Sequence, residues 1–525
     1  MDTKALRQKI LDLAIRGKLV PQNPNDEPAS VLLERIRAEK QQMVKDGKLK
    51  AKDIKNDTVI FLGDDNLHYE KFPDGTVKCI EDEIPFELPE GWEWTRLQAI
   101  CEPITDGTHK TPTYSDEGFI FLSSKNVTSG HIDWDNIMYI PESLHNELYA
   151  RLAPQKNDIL LAKNGTTGVA AIVDRDCIFD IYVSLALLRI IGYIISPEYL
   201  LSTIASSTIQ NYFNSSLKGI GVPNLHLEHI RTTLIPVAPI NEQYRIATKL
   251  EQLLSFADNI ESDKTDLQTT IQLTKSKILD LAIRGKLVPQ NPDDEPASVL
   301  LERIRAEKEE LIKQGKIKRD KKKSVIFRGD DNSYYRRMRN LIETLDDWRI
   351  NDSPYSWGIC CLGEVCDYGN CTNVDTKDIP KTAWILDLED IEKDTGKVSQ
   401  KLTLKERNSA STKHSFHKGQ VLYSKLRPYL NKVVLVDDDG YCTSEILPLD
   451  FNKYILPEYA KYYLMSPTFL RYANHCSYGV KMPRLGTLDG RKAVLIVPPV
   501  NEQKRIADKV SQLFSLLDSI ADNVN

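Results

Sequence analysis

Between Asn241 and Arg284 apolar residues recur in alternating steps of four and three. They are Ile246, Leu250, Leu253, Ala257, Ile260, Leu267, Ile271, Ile278 and Leu281, and the polar Lys264 and Thr274 fill the two remaining places in the rhythm. This is the seam of a heptad repeat, and with no Pro or Gly inside it the pattern predicts one long helix facing another helix. At ~1.5 Å per residue it spans roughly 65 Å. Gly285 is placed to cap its C-terminus, and Pro289 forbids much continuation. The same seam returns at the end of the chain (Ile506, Val510, Leu513, Leu517, Ile520, Val524) and at its start (Leu6, Ile10, Leu13).

The rhythm is accompanied by outright repetition, which bears on the fold before any local assignment. KILDLAIRGKLVPQNPNDEPASVLLERIRAEK at 9–40 recurs at 277–308 with one change, Asn25 to Asp293, at an offset of 268. VIFLGDDNLHY (59–69) is answered by VIFRGDDNSYY (325–335). A second repeat, at an offset of 260, relates PVAPINEQYRIATKLEQLLSFADNI, ending at Ile260, to VPPVNEQKRIADKVSQLFSLLDSI, ending at Ile520. Mapped onto the central helix, Asn525 falls at position 265 and Met1 at 269, so the chain reads as a near circle cut inside its second long helix.

The segments between the helices do not resemble one another. Each opens on tryptophan (LPEGWEWTRL, SPYSWGICCL) and carries short β-type runs: FIFLSS, DILLAK and YVSLALLRII in one, GQVLYSKL, KVVLVDD and AVLIVPP in the other. Each also holds a helix candidate beginning at Ser-Pro-Glu or Leu-Pro-Glu, SPEYLLSTIASSTIQNYF and LPEYAKYYLMSPTFLRYA. The expected architecture is mixed α+β, pseudo-two-fold and circularly arranged. Scaffold helices occupy 1–45, a linker or tail 46–90, and a first α/β domain 91–238. The central long helix and a second scaffold helix follow at 239–318, a basic linker at 319–343, a second α/β domain at 344–498 and a closing helix at 499–525. Scaffold copies this similar imply two copies of one partner, and divergent domains imply two different ligands.

Composition narrows the function classes. The 525 residues are 41% hydrophobic and carry a net charge of −6, so a nucleic-acid binder built this way must concentrate its cations locally. The opening MDTKALRQKI has no apolar signal core, and no run of ~18 apolar residues predicts a membrane span. Nine cysteines without a secreted pattern point to a reduced, cytoplasmic setting. The cluster Cys360, Cys361, Cys366 and Cys371 lacks a CxxC pair and a His partner, so no metal site is expected. Catalytic signatures are missing as well. NGTTGVAA lacks the lysine of a phosphate loop, there is no HExxH, and VPPV and IPVAP are not the Asn/Asp-Pro-Pro-aromatic motif of an N6-adenine methyltransferase. DLEDIEKD (387–394) reads as a solvated turn or helix face.

Along nearly its whole length the chain resembles the specificity subunit of type I restriction-modification systems. The resemblance is carried by the domain-opening tryptophans (Trp92, Trp94, Trp357), by DGTHKTP, by NDILLAKNGTTG and its counterpart GQVLYSKLRPYLNK, and by AIRGKLVPQNP. Its strongest element is the paired NEQ-x-RIA leading each long helix. The family resemblance implies two target-recognition domains, each reading one half of a bipartite DNA site, separated by two long antiparallel helices that act as a ruler. It implies docking of two methyltransferase subunits and, through them, restriction subunits. It also implies a non-catalytic chain without a cofactor of its own, S-adenosylmethionine belonging to the methyltransferase, and ATP and Mg to the restriction subunit.

Family members touch DNA with loops at one edge of each domain. Carried onto matching motifs, the first domain offers Thr108, His109, Lys110 and Thr111, with Gly107 freeing the backbone to approach a phosphate. It further offers Ser123, Ser124, Lys125 and Asn126, then Lys163, Asn164, Thr166 and Thr167, and Lys218. The second offers Tyr368, Asn370 and Asn373, then Lys425, Arg427 and Tyr429, then Tyr478, Lys481 and Arg484. Arg427 is the leading candidate for base contact. Asn suits adenine and Arg or Lys guanine, while Lys, Ser and Thr more often position the protein on phosphate. The basic runs at 45–55 and 313–323 are candidates for phosphate or partner contact.

Overall fold

The computed structural model describes residues 2–524, apart from 129, 193, 218–222, 317–323, 332, 339–340, 346–347, 349–352, 408 and 452–453. Two compact units, Met1–Asp263 and Lys264–Asn525, meet inside one continuous helix. The scaffold helices are α1 (Thr3–Ile15), α2 (Ala29–Lys45), the 44-residue α3 (Ile240–Ile283), α4 (Ala297–Lys313) and α5 (Val500–Val524). The heptad seam is visible in the burial of α3. Between Ala257 and Ile271, Ile260, Lys264 and Leu267 are half-buried and every other position is exposed. Met1 and Asn525, on which the closure of the circle depends, lie outside the described residues.

In the first unit α1 runs antiparallel to the first half of α3. Ile10, Leu11 and Ala14 pack with Ile246 and Leu250 over Trp92 and Tyr199. Further along, Arg7 ion-pairs Asp258 at 2.6 Å and Glu261 at 2.8 Å. In the second unit α5 runs antiparallel to the second half of α3. There Ile278, Leu279, Ala282 and Ile283 share a core with Ile506, Val510, Phe514 and Trp357, and Lys275 ion-pairs Asp518. The residues equivalent by the two repeats thus do the same job in each unit.

The NEQ-x-RIA motif gains a physical account. Glu242 accepts the indole N–H of Trp92 at 3.1 Å, and Glu502 that of Trp357 at 2.9 Å. Gln243 accepts from Ser196 N–H and donates to the carbonyl of Ala238, and Gln503 accepts from Leu456 N–H and donates to that of Pro498. Arg245 pairs with Asp26 at 2.7 Å and Arg505 with Asp294 at 2.6 Å. Each long helix is therefore fastened to its domain's opening tryptophan, to a domain helix and to the repeated element. Gly17 and Gly285 (φ +62° and +66°) complete the match: an added Cβ would fall 2.5 Å from Pro89 Cγ and 2.3 Å from Pro354 Cγ.

Each domain opens and closes on the same antiparallel pair, Glu93–Arg96 with Leu234–Val237 and Gly358–Cys361 with Val494–Val497. Inside the first lie a four-stranded antiparallel sheet (Thr105–Asp106, Leu185–Leu188, Ile159–Ala162, Ala170–Ile172) and a three-stranded one with Phe119–Leu122 at its centre. The second holds a five-stranded mixed sheet and a three-stranded one in which Val421–Ser424 lies between Val433–Leu435 and Ile446–Leu449. Each predicted domain helix is broken in two, as Pro197–Ala205 with Ser207–Ser215 and Pro457–Met465 with Pro467–His475. The break falls at Ser206 and Ser466, both extended (ψ 152° and 153°); the Ser206 hydroxyl donates to Thr203 O, and Pro467 has no N–H to continue a helix.

Residues 46–90, expected to be a linker or tail, are folded. Val59–Leu62, His68–Lys71 and Val77–Cys79 form an antiparallel sheet, and Ile60 and Ile80 pack on Trp94. Ser324–Arg328, Tyr334–Met338 and Leu341–Thr344 form the matching sheet within the stretch expected to be a basic linker. Three- to five-residue strands rich in charge carry too little apolar periodicity to stand out. All nine cysteines are free thiols, and among the described residues no helix is long and apolar enough to cross a membrane.

Candidate nucleic-acid interface

In the first unit the strand Ile159–Ala162 runs into Lys163-Asn164-Gly165, and the backbone of Lys163 is clasped from both sides. Its N–H donates to Ser184 O at 2.8 Å, and its carbonyl accepts from Leu225 N–H at 2.9 Å. Asn164 forms a bridge with Asn224, and Gly165 turns at φ +78°. The other predicted loops arrive at the same place. Ser124 N–H donates to the Ser184 hydroxyl at 3.0 Å, and Thr108 pairs with the backbone at Ile181 and Val183. His109, Lys110, Thr111, Lys125 and Thr166 are exposed; Thr108, Ser123, Ser124, Asn164 and Thr167 are half-buried. Lys218 lies outside the described residues.

Two predicted residues of this unit are turned inward. Asn126 is 5% exposed, its amide donating to Asp133 O and Asn136 O while its carbonyl oxygen accepts from Ser123 N–H, so it closes its own turn. Lys163 is 6% exposed and its ammonium pairs with buried Asp106, an arrangement that compensates two buried charges. Gly107 is required within the fold itself: a Cβ there would lie 1.9 Å from Ile181 O, in the neighbouring strand.

The second unit builds the same clasp. Val421–Ser424 runs into Lys425-Leu426-Arg427; Lys425 N–H donates to Glu445 O at 3.1 Å, and Lys425 O accepts from Leu485 N–H at 3.0 Å. Leu426 bridges Arg484. Arg427 is exposed, has no ion-pair partner among the described residues and adopts φ +50°, a left-handed conformation costing a non-glycine residue roughly 1–2 kcal/mol. Tyr429, Tyr478, Lys481, Asn370 and Asn373 are exposed and Lys425 is half-buried. Arg484 forms a bidentate pair with Glu445, whose carboxyl is held below the ordinary range by these hydrogen bonds. Tyr368 is wholly buried against Gly490, where it supports the loop from beneath.

Three residues at the clasps escaped sequence reasoning: Ser184, Asn224 and Glu445. A signal for the second existed, since Pro-Asn-Leu (223–225) and Pro-Arg-Leu (483–485) end matching loops. Ser184 and Glu445 each precede a strand lying beside the clasp strand, a relation visible only once register is known.

Residues 89–268 and 354–524 each match the family described as Type I restriction modification DNA specificity domain. The chain belongs to that family. The type I restriction enzyme EcoAI specificity subunit of Escherichia coli is 31% identical to it across 70% of this chain and 63% of that protein's length. The EcoEI specificity subunit of Escherichia coli is 25% identical, covering 98% of this chain and 90% of its own. A chain solved in work on complex assembly and conformational transition of the type I R-M system shares the fold. Its TM-score is 0.53 at 18% identity, over 84% of this chain and 94% of that one. Both matched stretches run from the domain-opening tryptophan into a long helix, so each includes the fastening of that helix to the tryptophan and to the domain helix, while the repeated element lies outside them.

Proposed function

We propose that this chain gives a type I restriction-modification complex its DNA address, each unit reading one half of a bipartite target. The observation that supports this most is the pair of loop clusters, built on matching backbone clasps but presenting different side chains. Divergent readers on a common frame suit two different half-sites. The repeated elements, alike at 31 of 32 positions, suit two copies of one methyltransferase, and restriction subunits join through them. The chain does no chemistry itself; S-adenosylmethionine, ATP and Mg belong to those partners. A reducing cytoplasm suits nine unpaired thiols.

Replacing 91–238 with a recognition domain of another specificity tests the reading. In cells also expressing the methyltransferase, sequencing of methylated DNA is expected to show one half of the motif changed and the other kept. A change in both halves together defeats it. Native mass spectrometry at saturation is expected to find two methyltransferase copies per chain. The unbroken seam of α3 further supports a ruler. One heptad inserted in α3 and matched in α5 adds ~10 Å, and the preferred spacer is expected to lengthen by about three base pairs.

A further inference from the structure

The two clasps correspond bond for bond. Through the donor and acceptor of the central lysine, Ser184 takes the place of Glu445 and Leu225 that of Leu485. The preceding residues, Asn224 and Arg484, hold the same bridge position. The first clasp closes with a neutral serine and a neutral asparagine, so the Arg484–Glu445 ion pair is not needed to form the frame. The pair is part-buried, its side chains 31% and 24% exposed, and it is the one place where the second clasp departs from the first in charge.

What the pair does do is fix a guanidinium. Glu445 accepts from Arg484 Nε at 3.1 Å and from Nη2 at 2.9 Å, and Met482 O accepts from Nη1 at 3.1 Å. Of the five N–H groups of an arginine these bonds occupy three, leaving one on each terminal nitrogen. A free N–H on each terminal nitrogen is what the bidentate contact with O6 and N7 on the major-groove edge of guanine needs, the commonest specific arginine contact. Arg484 stands in the two-stranded ribbon Ser477–Tyr478 with Arg484–Leu485, and exposed Lys481 lies in its connecting loop. A ribbon of this kind fits the major groove.

We propose that Arg484 reads a guanine in the half-site of the second unit, and that Glu445 is its positioning residue, holding the fork in plane. The proposal rests on the chain being a DNA specificity protein, and its failure can be told from the failure of that reading. The experiment uses the full chain with its methyltransferase, and methylated sites are mapped across a genome for the parent and four variants. In Arg484→Ala and Arg484→Lys the preference for guanine at one position of one half-site is expected to fall roughly 10- to 100-fold, with the other half-site unchanged. Glu445→Gln is expected to relax the same position to a smaller degree. The double variant E445S/R484N installs the pair with which the first clasp closes, which guards against a variant that merely misfolds; it too is expected to lose the guanine. An unaltered motif with methylation lowered evenly at all sites, and a salt slope shallower by about one, marks Arg484 as a phosphate contact and overturns the proposal. Relaxation in the other half-site overturns it equally. A parent complex that methylates without sequence preference removes the proposed function itself.

Discussion

The two units fasten their small sheets to their recognition domains with a buried arginine supplied from opposite sides. In the first, Arg96 stands on the domain's opening strand and pairs with Glu70 of the small sheet and with Glu83, each at 2.7 Å, while donating to Thr232 O. In the second, the repeat puts Arg336 of the small sheet where Glu70 stands and Cys361 where Arg96 stands. Arg336 pairs with Glu343 and donates to Lys492 O, the carbonyl equivalent to that of Thr232. The fixed requirement is a guanidinium on that carbonyl; which strand supplies it is free. With so much of the scaffold repeated almost verbatim, this polarity also makes the two sheets non-interchangeable. Glu70 facing Cys361 would be a buried carboxylate without a cation, and Arg336 facing Arg96 a buried like-charge pair, both costly.

The sharpest way to break this comparison is to reverse one lock. Glu70→Ala is expected to cost about 3 kcal/mol in denaturant melts, the low end for breaking a buried pair because Glu83 still holds Arg96. Glu70→Arg is expected to cost more. Adding Arg96→Cys together with Lys78→Glu, which stands opposite position 70 as Glu343 stands opposite Arg336, rebuilds the second unit's arrangement in the first and should recover most of the loss; a triple variant no better than Glu70→Arg alone refutes the equivalence. Next in size, Trp92→Phe and Trp357→Phe each leave a buried carboxylate without its indole donor. Losses of about 1–3 kcal/mol are expected when followed by hydrogen exchange in each unit, the smaller in the second, where Gln290 still donates to Glu502. A large effect in one and none in the other would mean that the two fastenings are not the same device.

A third test uses Gly165 and Arg427, which occupy equivalent left-handed positions. Arg427→Gly is expected to raise stability by about 0.5–1 kcal/mol while weakening DNA binding. A loss of stability would show that the arginine side chain supports the fold. The smallest effect concerns Glu242 and Glu502, whose carboxyls burial raises above their ordinary 4.5. A raised carboxyl binds its proton more readily in the folded chain. Its contribution to stability is therefore complete below pH 4.5 and is lost as pH rises through the raised value. Glu242→Gln keeps an acceptor for the indole and removes the titration. It is expected to match or slightly exceed the parent's melting temperature at neutral pH, with no advantage below pH 4.5.

Much of this organisation was legible because it is local and dense. A heptad seam repeats within a few residues, and a duplicated segment declares itself whatever its fold, so α1, α3, α5 and both tryptophan-opened domains stood out. The loops themselves were legible too, since Gly107, Gly165 and their neighbours punctuate strands. What stayed hidden depends on register between distant strands. Nothing near Glu445 announces that it will face Arg484 across 39 positions. Nothing in CDYGN says that Tyr368 points under Gly490 while Asn370 points out. Asn126 and Lys163 looked like surface donors because their partners, the carbonyls of Asp133 and Asn136 and the carboxylate of Asp106, are set by folding.

The clasp around Lys163 and Lys425 is made by main-chain atoms on both sides. Mutation can replace the side chains around it without removing the bonds that hold the loops together. A lineage can therefore wander from one set of side chains to another through folded intermediates, so that a protein of this design can change what it recognises long before it risks losing its shape.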